Sequence, residues 1–178
     1  NHIKKKYKNV YPRIDNLTIN STLNNHRFYI YDFFFNKIIL NCDYMLLCDM
    51  RDVLFQKNIE DYEYKADIDL YVFEEYMKLE EEKAWNEPWL LLLEKQYGEK
   101  FYNSIKHNKI ICCGTTIGKL KSIKNYVRKQ VEHLNKCSEK VRKRVNIDQG
   151  IHNYLIYTNK LSNIKKMSND DSFINTVC

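Results

Sequence analysis

The run Tyr44-Met45-Leu46-Leu47-Cys48 is apolar at every position. A strand with one wet face alternates apolar and polar residues. A run without alternation is covered on both faces, so this segment predicts a buried central strand. It stops abruptly at Asp49-Met50-Arg51-Asp52, and Val53-Leu54-Phe55 and the polar Gln56-Lys57-Asn58 follow. The chain holds only 4 Gly and 2 Pro, which argues against a hairpin-dense all-β body and against collagen-like or linker-like sequence.

The segments around this strand read as alternating helices and strands. Phe28, Tyr31, Phe34, Phe35, Ile38 and Ile39 recur near a 3.6 period and predict a buried helix. Ile68 to Phe73 predicts a strand ending at Glu74-Glu75. Pro88 suits the first turn of a helix through Leu93 to Tyr97, with Gly98 as its stop, and Glu99 to His107 predicts a short helix. Lys109 to Cys113 predicts a strand running into the small-residue stretch Gly114-Thr115-Thr116-Ile117-Gly118. A long helix follows, with Ile123, Tyr126, Val127, Val131 and Leu134 on its inner face. Asp148 to Ile156 predicts another helix with Asp148 near its N-cap, and Phe173 to Val177 a terminal strand. The expectation is an α/β fold with a mixed, mostly parallel sheet flanked by helices. Residues 1–25 are expected to be an irregular lead-in, and 26–178 one domain, with no internal repeat and no linker.

Hydrophobic residues make up 44% of the 178 and charged residues 29%, an ordinary globular composition. The net charge of +6 includes the runs Lys4-Lys5-Lys6 and Arg142-Lys143-Arg144, which read as solvated surface. No zinc-finger or RNA-binding signature accompanies them, so no nucleic-acid partner is expected. The 6 cysteines form no C-x-x-C pair, which removes the usual zinc and thioredoxin-like spacings. No stretch is long and apolar enough to span a membrane. Asn16-Leu17-Thr18 and Asn20-Ser21-Thr22 match the glycosylation sequon, which arises by chance in so Asn-rich a chain.

The chemistry lies at the end of the first strand. In open α/β sheets, ligands bind beyond the carboxyl ends of the strands. Acids three residues apart on a turn come within about 7 Å. Asp49 and Asp52 there suit a hard divalent cation shared with substrate phosphates, which would neutralise charge on a diphosphate leaving group. The plainer reading is a surface turn whose acids pair with Arg51 and nearby lysines. A haloacid-dehalogenase-type phosphohydrolase also starts from a strand ending in aspartates, but there one residue separates the acids and here two do.

The segment Leu46 to Gln56 resembles the metal-binding segment of certain GT-A glycosyltransferases, in which an apolar strand leads into Asp-x-Arg-Asp-Val-x-Phe-Gln, a variant of the Asp-x-Asp motif. Two further segments agree in order. Ile111 to Gly118 is similar to the strand-to-helix turn that follows the motif, and Asp148-Gln149-Gly150-Ile151-His152-Asn153 to an Asp-Gln-x-x-x-Asn helix start. His26-Arg27-Phe28 resembles the preceding helix, and together the likeness covers residues 26 to 157.

The resemblance implies a metal-dependent transfer of a hexose-type sugar from a nucleoside-diphosphate sugar, most often a UDP-sugar, to a hydroxyl of a glycan, lipid or protein. Asp49 and Asp52 would hold Mn²⁺ or Mg²⁺, and Asp49 and Arg51 would meet the diphosphate or ribose. Gly114, Thr115 and Thr116 would line the sugar pocket. Asp148 and Gln149 would sit beside the transferred sugar, although Asp148 also reads as an ordinary helix cap. Glu74 or Glu75 would assist the acceptor hydroxyl. Trp85, Asn86 and Trp89 read either as a sugar-stacking wall or as core, and His152 as packed rather than metal-binding. The family's first nucleotide-binding strand and its C-terminal His segment are not found in the sequence, so the expectation is truncation at both ends, with a non-catalytic sugar- or nucleotide-binding relative as the alternative. The compartment stays open: cytoplasm for a bacterial or viral enzyme, Golgi lumen for a eukaryotic one with an upstream anchor.

Overall fold

The computed structural model describes residues 21–49, 51–170 and 172–176. The lysine run at 4–6, both sequons as units, and the greater part of the lead-in lie outside them. In chain order the elements are α1 (Leu23–Lys37), β1 (Tyr44–Cys48), β2 (Val53–Phe55), a 3-10 turn (Ile59–Asp61), β3 (Leu70–Lys78), α2 (Asn86–Tyr97), α3 (Tyr102–Ile105), β4 (Lys109–Lys119), α4 (Leu120–Lys136), α5 (Glu139–Arg144), α6 (Asp148–Tyr157), β5 (Ile164–Met167) and β6 (Ile174–Thr176). The first helix thus begins at Leu23, inside the expected lead-in.

The main sheet has the order β1-β4-β3-β5, so β1 is not the expected buried central strand but an edge strand, partly buried throughout, whose two faces are covered by the two core clusters. β4 runs antiparallel to both neighbours, and β3 and β5 are parallel. β1, β3 and β5 therefore point the same way, with β4 reversed between two of them. The α/β fold with a mixed sheet and flanking helices is present. The expected predominance of parallel pairing is not: two of the three neighbouring pairs are antiparallel. β2 and β6 form a separate antiparallel ribbon.

Side-chain alternation sorts the core into two halves. On β3, Leu70 and Val72 face a large cluster built with Phe28, Leu90, Leu93, Ile123, Val127, Ile151 and Leu155 from the helices. Tyr71 and Phe73 face the other way, into an aromatic cluster with Phe173, Ile174, Tyr62 and Tyr64 under the ribbon. Tyr62, Tyr71, Phe73 and Phe173 meet largely edge to face, the geometry ring quadrupoles favour. Each fully buried large side chain contributes roughly 1.5–3 kcal/mol of burial free energy, so the sheet is held from both sides.

Two strand ends differ from expectation. β3 does not stop at Glu74-Glu75 but continues, increasingly exposed, to Lys78. β4 does not turn at Gly114: residues 114–118 are strand, and the helix begins only at Leu120. The small residues that read as a turn serve close packing instead. A Cβ on Gly118 would lie 2.4 Å from the Asp69 carbonyl oxygen of β3's lead-in.

β4 carries a bulge. Val72 pairs with Thr116, but Glu74, two residues on, pairs with Ile111. The unpaired ladder groups are taken up by side chains of α6. Asn153 Oδ1 accepts from Ile111 N–H at 2.9 Å and its Nδ2 donates to Ile111 C=O at 3.0 Å. Gln149 Oε1 accepts from Cys113 N–H at 2.6 Å, and its Nε2 donates to Ile111 C=O at 2.9 Å. A buried backbone N–H or C=O left bare costs about 1–3 kcal/mol, so these two amides fix the bulge and swing Cys112–Gly114 toward the end of β1.

Burial also sets an acid sensitivity. His152 is fully buried, with Nδ1 2.7 Å from the Tyr126 hydroxyl, and desolvation pushes its pKa down to about 3. Burial, reinforced by nearby lysines, pushes His133 down to about 4. In the unfolded chain both protonate near 6.5, so between pH 6.5 and 4 the unfolded state binds more protons. Stability is therefore complete above 6.5 and falls as pH drops, by up to about 1.4 kcal/mol per pH unit for each histidine. Asp148, whose pKa burial raises, acts in the opposite sense above the ordinary carboxylate value. Urea midpoints from pH 7.5 to 4.5 are expected to fall steadily, and a His133→Asn/His152→Asn double variant to show a flatter profile. A flat wild-type profile would contradict this.

Candidate functional site

The site forms where α1, the ends of β1 and β3, the β4 bulge and the start of α6 meet. Its centre is Arg27. From α1 the guanidinium donates from Nη1 to Asp49 Oδ1 at the end of β1, and from Nη2 to Asp148 Oδ2 at the start of α6, at 2.7 Å. Nη2 also lies 3.5 Å from Cys113 Sγ on the bulge. Burial alone would disfavour the charged guanidinium, but the Cys113, Asp148 and Asp49 groups around it outweigh that and hold its pKa above the ordinary value.

The two acids sit in unlike surroundings. Asp148 has a side chain only 2% exposed, and burial lifts its pKa above the usual range, opposed by Arg27 and by the helix-start N–H groups of Gln149 and Asp148. It is the first residue of α6, behind Ile147 at the cap position, whose side chain makes no capping bond. Its backbone N–H instead donates to Asn25 Oδ1 at 3.1 Å. Asn25, itself buried, also donates to the carbonyls of Val145 and Arg142, at 2.8 and 3.1 Å. One face of α1 therefore anchors the approach to α6 and supplies Arg27 to both acids. Asp49 is 43% exposed and faces a cleft.

That cleft has a volume of about 370 Å³. Arg27, Asp49, Gly114, Asp148 and Gln149 form its floor, and Glu75, Glu82, Trp85, Asn86 and Trp89 stand among its walls. Gly114 is there by necessity. Its carbonyl accepts from Asp49 N–H at 2.7 Å, and a Cβ at 114 would lie 2.5 Å from Asp49 Oδ2. A Gly114→Ala variant is expected to keep its fold, because the clash is with the end of a half-exposed side chain, and to push the Asp49 carboxylate off Arg27. Its melting temperature should move by a few degrees at most, and any ligand affinity read at Asp49 should drop at least about tenfold, given how steeply function depends on placement. Calorimetric melting beside nucleotide titration checks both.

The structure brings Asp49, Gly114, Asp148 and Gln149, together with Glu75, Trp85, Asn86 and Trp89, of the sequence-predicted residues into one cleft. Others lie elsewhere. Thr115 and Thr116 are buried within β4, opposite Cys48 and Leu47, and do not line it. Arg51 and Asp52 are exposed on the turn after β1, outside the lining. Glu74 lies beside Tyr157, whose pKa it helps to raise, while the lining acid is Glu75. Gln149 spends its amide on the backbone of β4. Arg27 has no role of its own in the sequence reading; its signal there is a cation at the head of the largely aromatic run Phe28 to Phe35, which calls for an interior partner.

Among the described residues no group of three or more His, Cys, Asp or Glu side chains is placed to hold a metal ion by itself. The donor set fits a divalent cation only as a shared one, with few protein carboxylates and the rest of the shell from substrate phosphates and water, as Mg²⁺ commonly takes. Among the described residues no helix is long and apolar enough to cross a membrane. No protein-family model, no curated protein and no solved structure matches the chain.

Proposed function

We propose that the chain is a glycosyltransferase domain of GT-A type, moving a hexose-type sugar from a nucleoside-diphosphate sugar to an acceptor hydroxyl. The observation that supports it is convergence: four segments singled out separately along the chain, at Arg27, Asp49, Gly114 and Asp148-Gln149, meet in one cleft at the carboxyl end of β1, an edge strand of the main sheet. The cleft is acidic, and Arg27, the one cation among the described lining residues, is already shared by two carboxylates. A bare diphosphate is repelled there and a cation-bound one is not. Mn²⁺ or Mg²⁺ shared between Asp49, Asp52 and the phosphates would supply neutralising charge to the leaving group.

This chain's residues then have distinct tasks. Arg27 and Gly114 fix the Asp49 carboxylate. Asp148, held rigid by Arg27 and Asn25, presents a carboxyl edge beside the place a sugar would occupy. Glu75 lines the cleft and Glu74 does not, so Glu75 would be the acid that meets an acceptor hydroxyl. UDP titrated calorimetrically into the protein should bind with Mn²⁺ and bind at least about tenfold more weakly with EDTA. Equal affinity in both would refute the metal-dependent assignment. A non-catalytic binding relative is the second reading, favoured by Asp52 lying outside the cleft and by Arg27 occupying Asp49. It predicts binding without turnover.

A further inference from the structure

The cleft has a wall that the donor chemistry does not use. Trp85 is 63% exposed, a high value for an indole, and Trp89 stands beside it one helical turn on. Their ring centroids are 6.1 Å apart and their planes differ by 35°. Both line the cleft, together with Tyr76 and Met77 from the projecting end of β3.

The exposure of Trp85 is held in place rather than incidental. The Glu82 carboxylate accepts from the backbone N–H groups of Ala84, Trp85 and Asn86, at 3.1, 2.9 and 2.6 Å, and from Asn86 Nδ2 at 3.2 Å. One carboxylate thus caps the start of α2 and locks the turn that carries the indole. Gly150 of α6 supports the second tryptophan from behind: a Cβ there would come within 3.0 Å of Trp89 Cβ. Beside them Asn86 is 94% buried, being 6% exposed, and its Oδ1 has no hydrogen-bond partner. A buried amide oxygen at a cleft wall is an acceptor waiting for a donor.

We infer that Trp85, Trp89 and Asn86 form a saccharide-binding platform, and, on the transferase reading above, that the acceptor is a glycan rather than a lipid or a protein hydroxyl alone. A pyranose has an apolar C–H face and a rim of hydroxyls. Adjacent, slightly splayed indoles cover the first, and the free Asn86 oxygen accepts from the second. The rigid mounting means little side-chain entropy is lost on binding. The platform belongs to the wall, and the Arg27–Asp49–Asp148 group to the floor, so donor and acceptor sugars take separate places in the same 370 Å³ cleft.

The test screens the protein on an array of defined oligosaccharides and then titrates the strongest hit while following indole fluorescence. UDP alone is titrated in parallel, and UDP-hexose turnover is measured on the same preparation. Trp85 is exposed enough to be removed without unfolding the chain, and Trp85→Phe keeps a stacking face. Expected are binding to at least one oligosaccharide, a loss of about tenfold or more in Trp85→Ala, partial retention in Trp85→Phe, and a comparable loss in Asn86→Ala. Absence of binding to every oligosaccharide, or binding untouched by Trp85→Ala and Asn86→Ala, overturns the platform. So does a UDP affinity that falls in Trp85→Ala, since the indole would then be stacking the donor base. Oligosaccharide binding through Trp85 without UDP-hexose turnover would keep the platform and end the transferase reading. Turnover with saccharide binding indifferent to Trp85 would do the reverse.

Discussion

Arg27→Met is expected to cost about 3–5 kcal/mol of folding stability, the penalty for stripping the partner from a buried charge. The loss comes from Asp148. Its side chain is 2% exposed, and Arg27 Nη2 at 2.7 Å is its ion-pair partner. With methionine at 27 the carboxylate must stay buried uncompensated, take up a proton, or pull the start of α6 toward water. The bond to Asp49 contributes much less, because that carboxylate is 43% exposed and screened. Arg27→Met/Asp148→Asn should recover most of the loss, since the pair is then removed together. Urea unfolding of the two single variants and the double closes the cycle. A single-variant cost below about 1 kcal/mol would show that Asp148 does not depend on Arg27.

The second large effect is Gly118→Ala. A Cβ at 118 meets the Asp69 carbonyl oxygen at 2.4 Å, Leu70 Cδ2 at 2.7 Å and Leu70 Cα at 3.2 Å. Two of these are backbone, so no rotamer relieves the clash and β3 must part from β4. The Lys119 N–H bond to the same Asp69 oxygen, 3.0 Å, would be strained with it. Overpacking costs roughly 1–3 kcal/mol where side chains can give, and this substitution is expected at or above the upper end. Thermal melting, compared with the mild Gly114→Ala on the same strand, measures it. Equal melting temperatures for the two would show that β3 and β4 separate freely at this point.

The contrast between these glycines explains what was readable from the sequence. The bounds of β1 were legible to the residue but not its place: the unalternating run means two covered faces, Met45 and Leu47 against the helical cluster and Leu46 against the aromatic one, and an edge strand meets that condition as well as a central one. The inner face of α4 and the stop at Gly98, which takes φ 68, were legible for similarly local reasons. The stretch 114–118 was not. Gly-Thr-Thr-Ile-Gly has the composition of a turn, and what makes it strand is close contact with Asp49 on one side and Asp69 on the other. The β4 bulge was likewise hidden, since its missing partners are the Gln149 and Asn153 amides 36 and 42 residues away. The same distance problem reassigned the site. Glu74 and Glu75 are indistinguishable as neighbours in a string, and only the pleat of β3 decides that Glu75 lines the cleft. Asp148 read as a helix cap because acids at helix starts usually are. Its task became visible once Arg27, 121 residues earlier, was placed against it.

The most direct test of the transferase account is donor turnover. The protein would be incubated with a panel of UDP- and GDP-hexoses, with Mn²⁺ or with EDTA, beside Asp49→Ala and Asp52→Ala. The account predicts release of UDP or GDP that needs the cation, is abolished by Asp49→Ala, and falls in Asp52→Ala. No release and no cation-dependent nucleotide binding by folded protein, or turnover unchanged in Asp49→Ala, would contradict it.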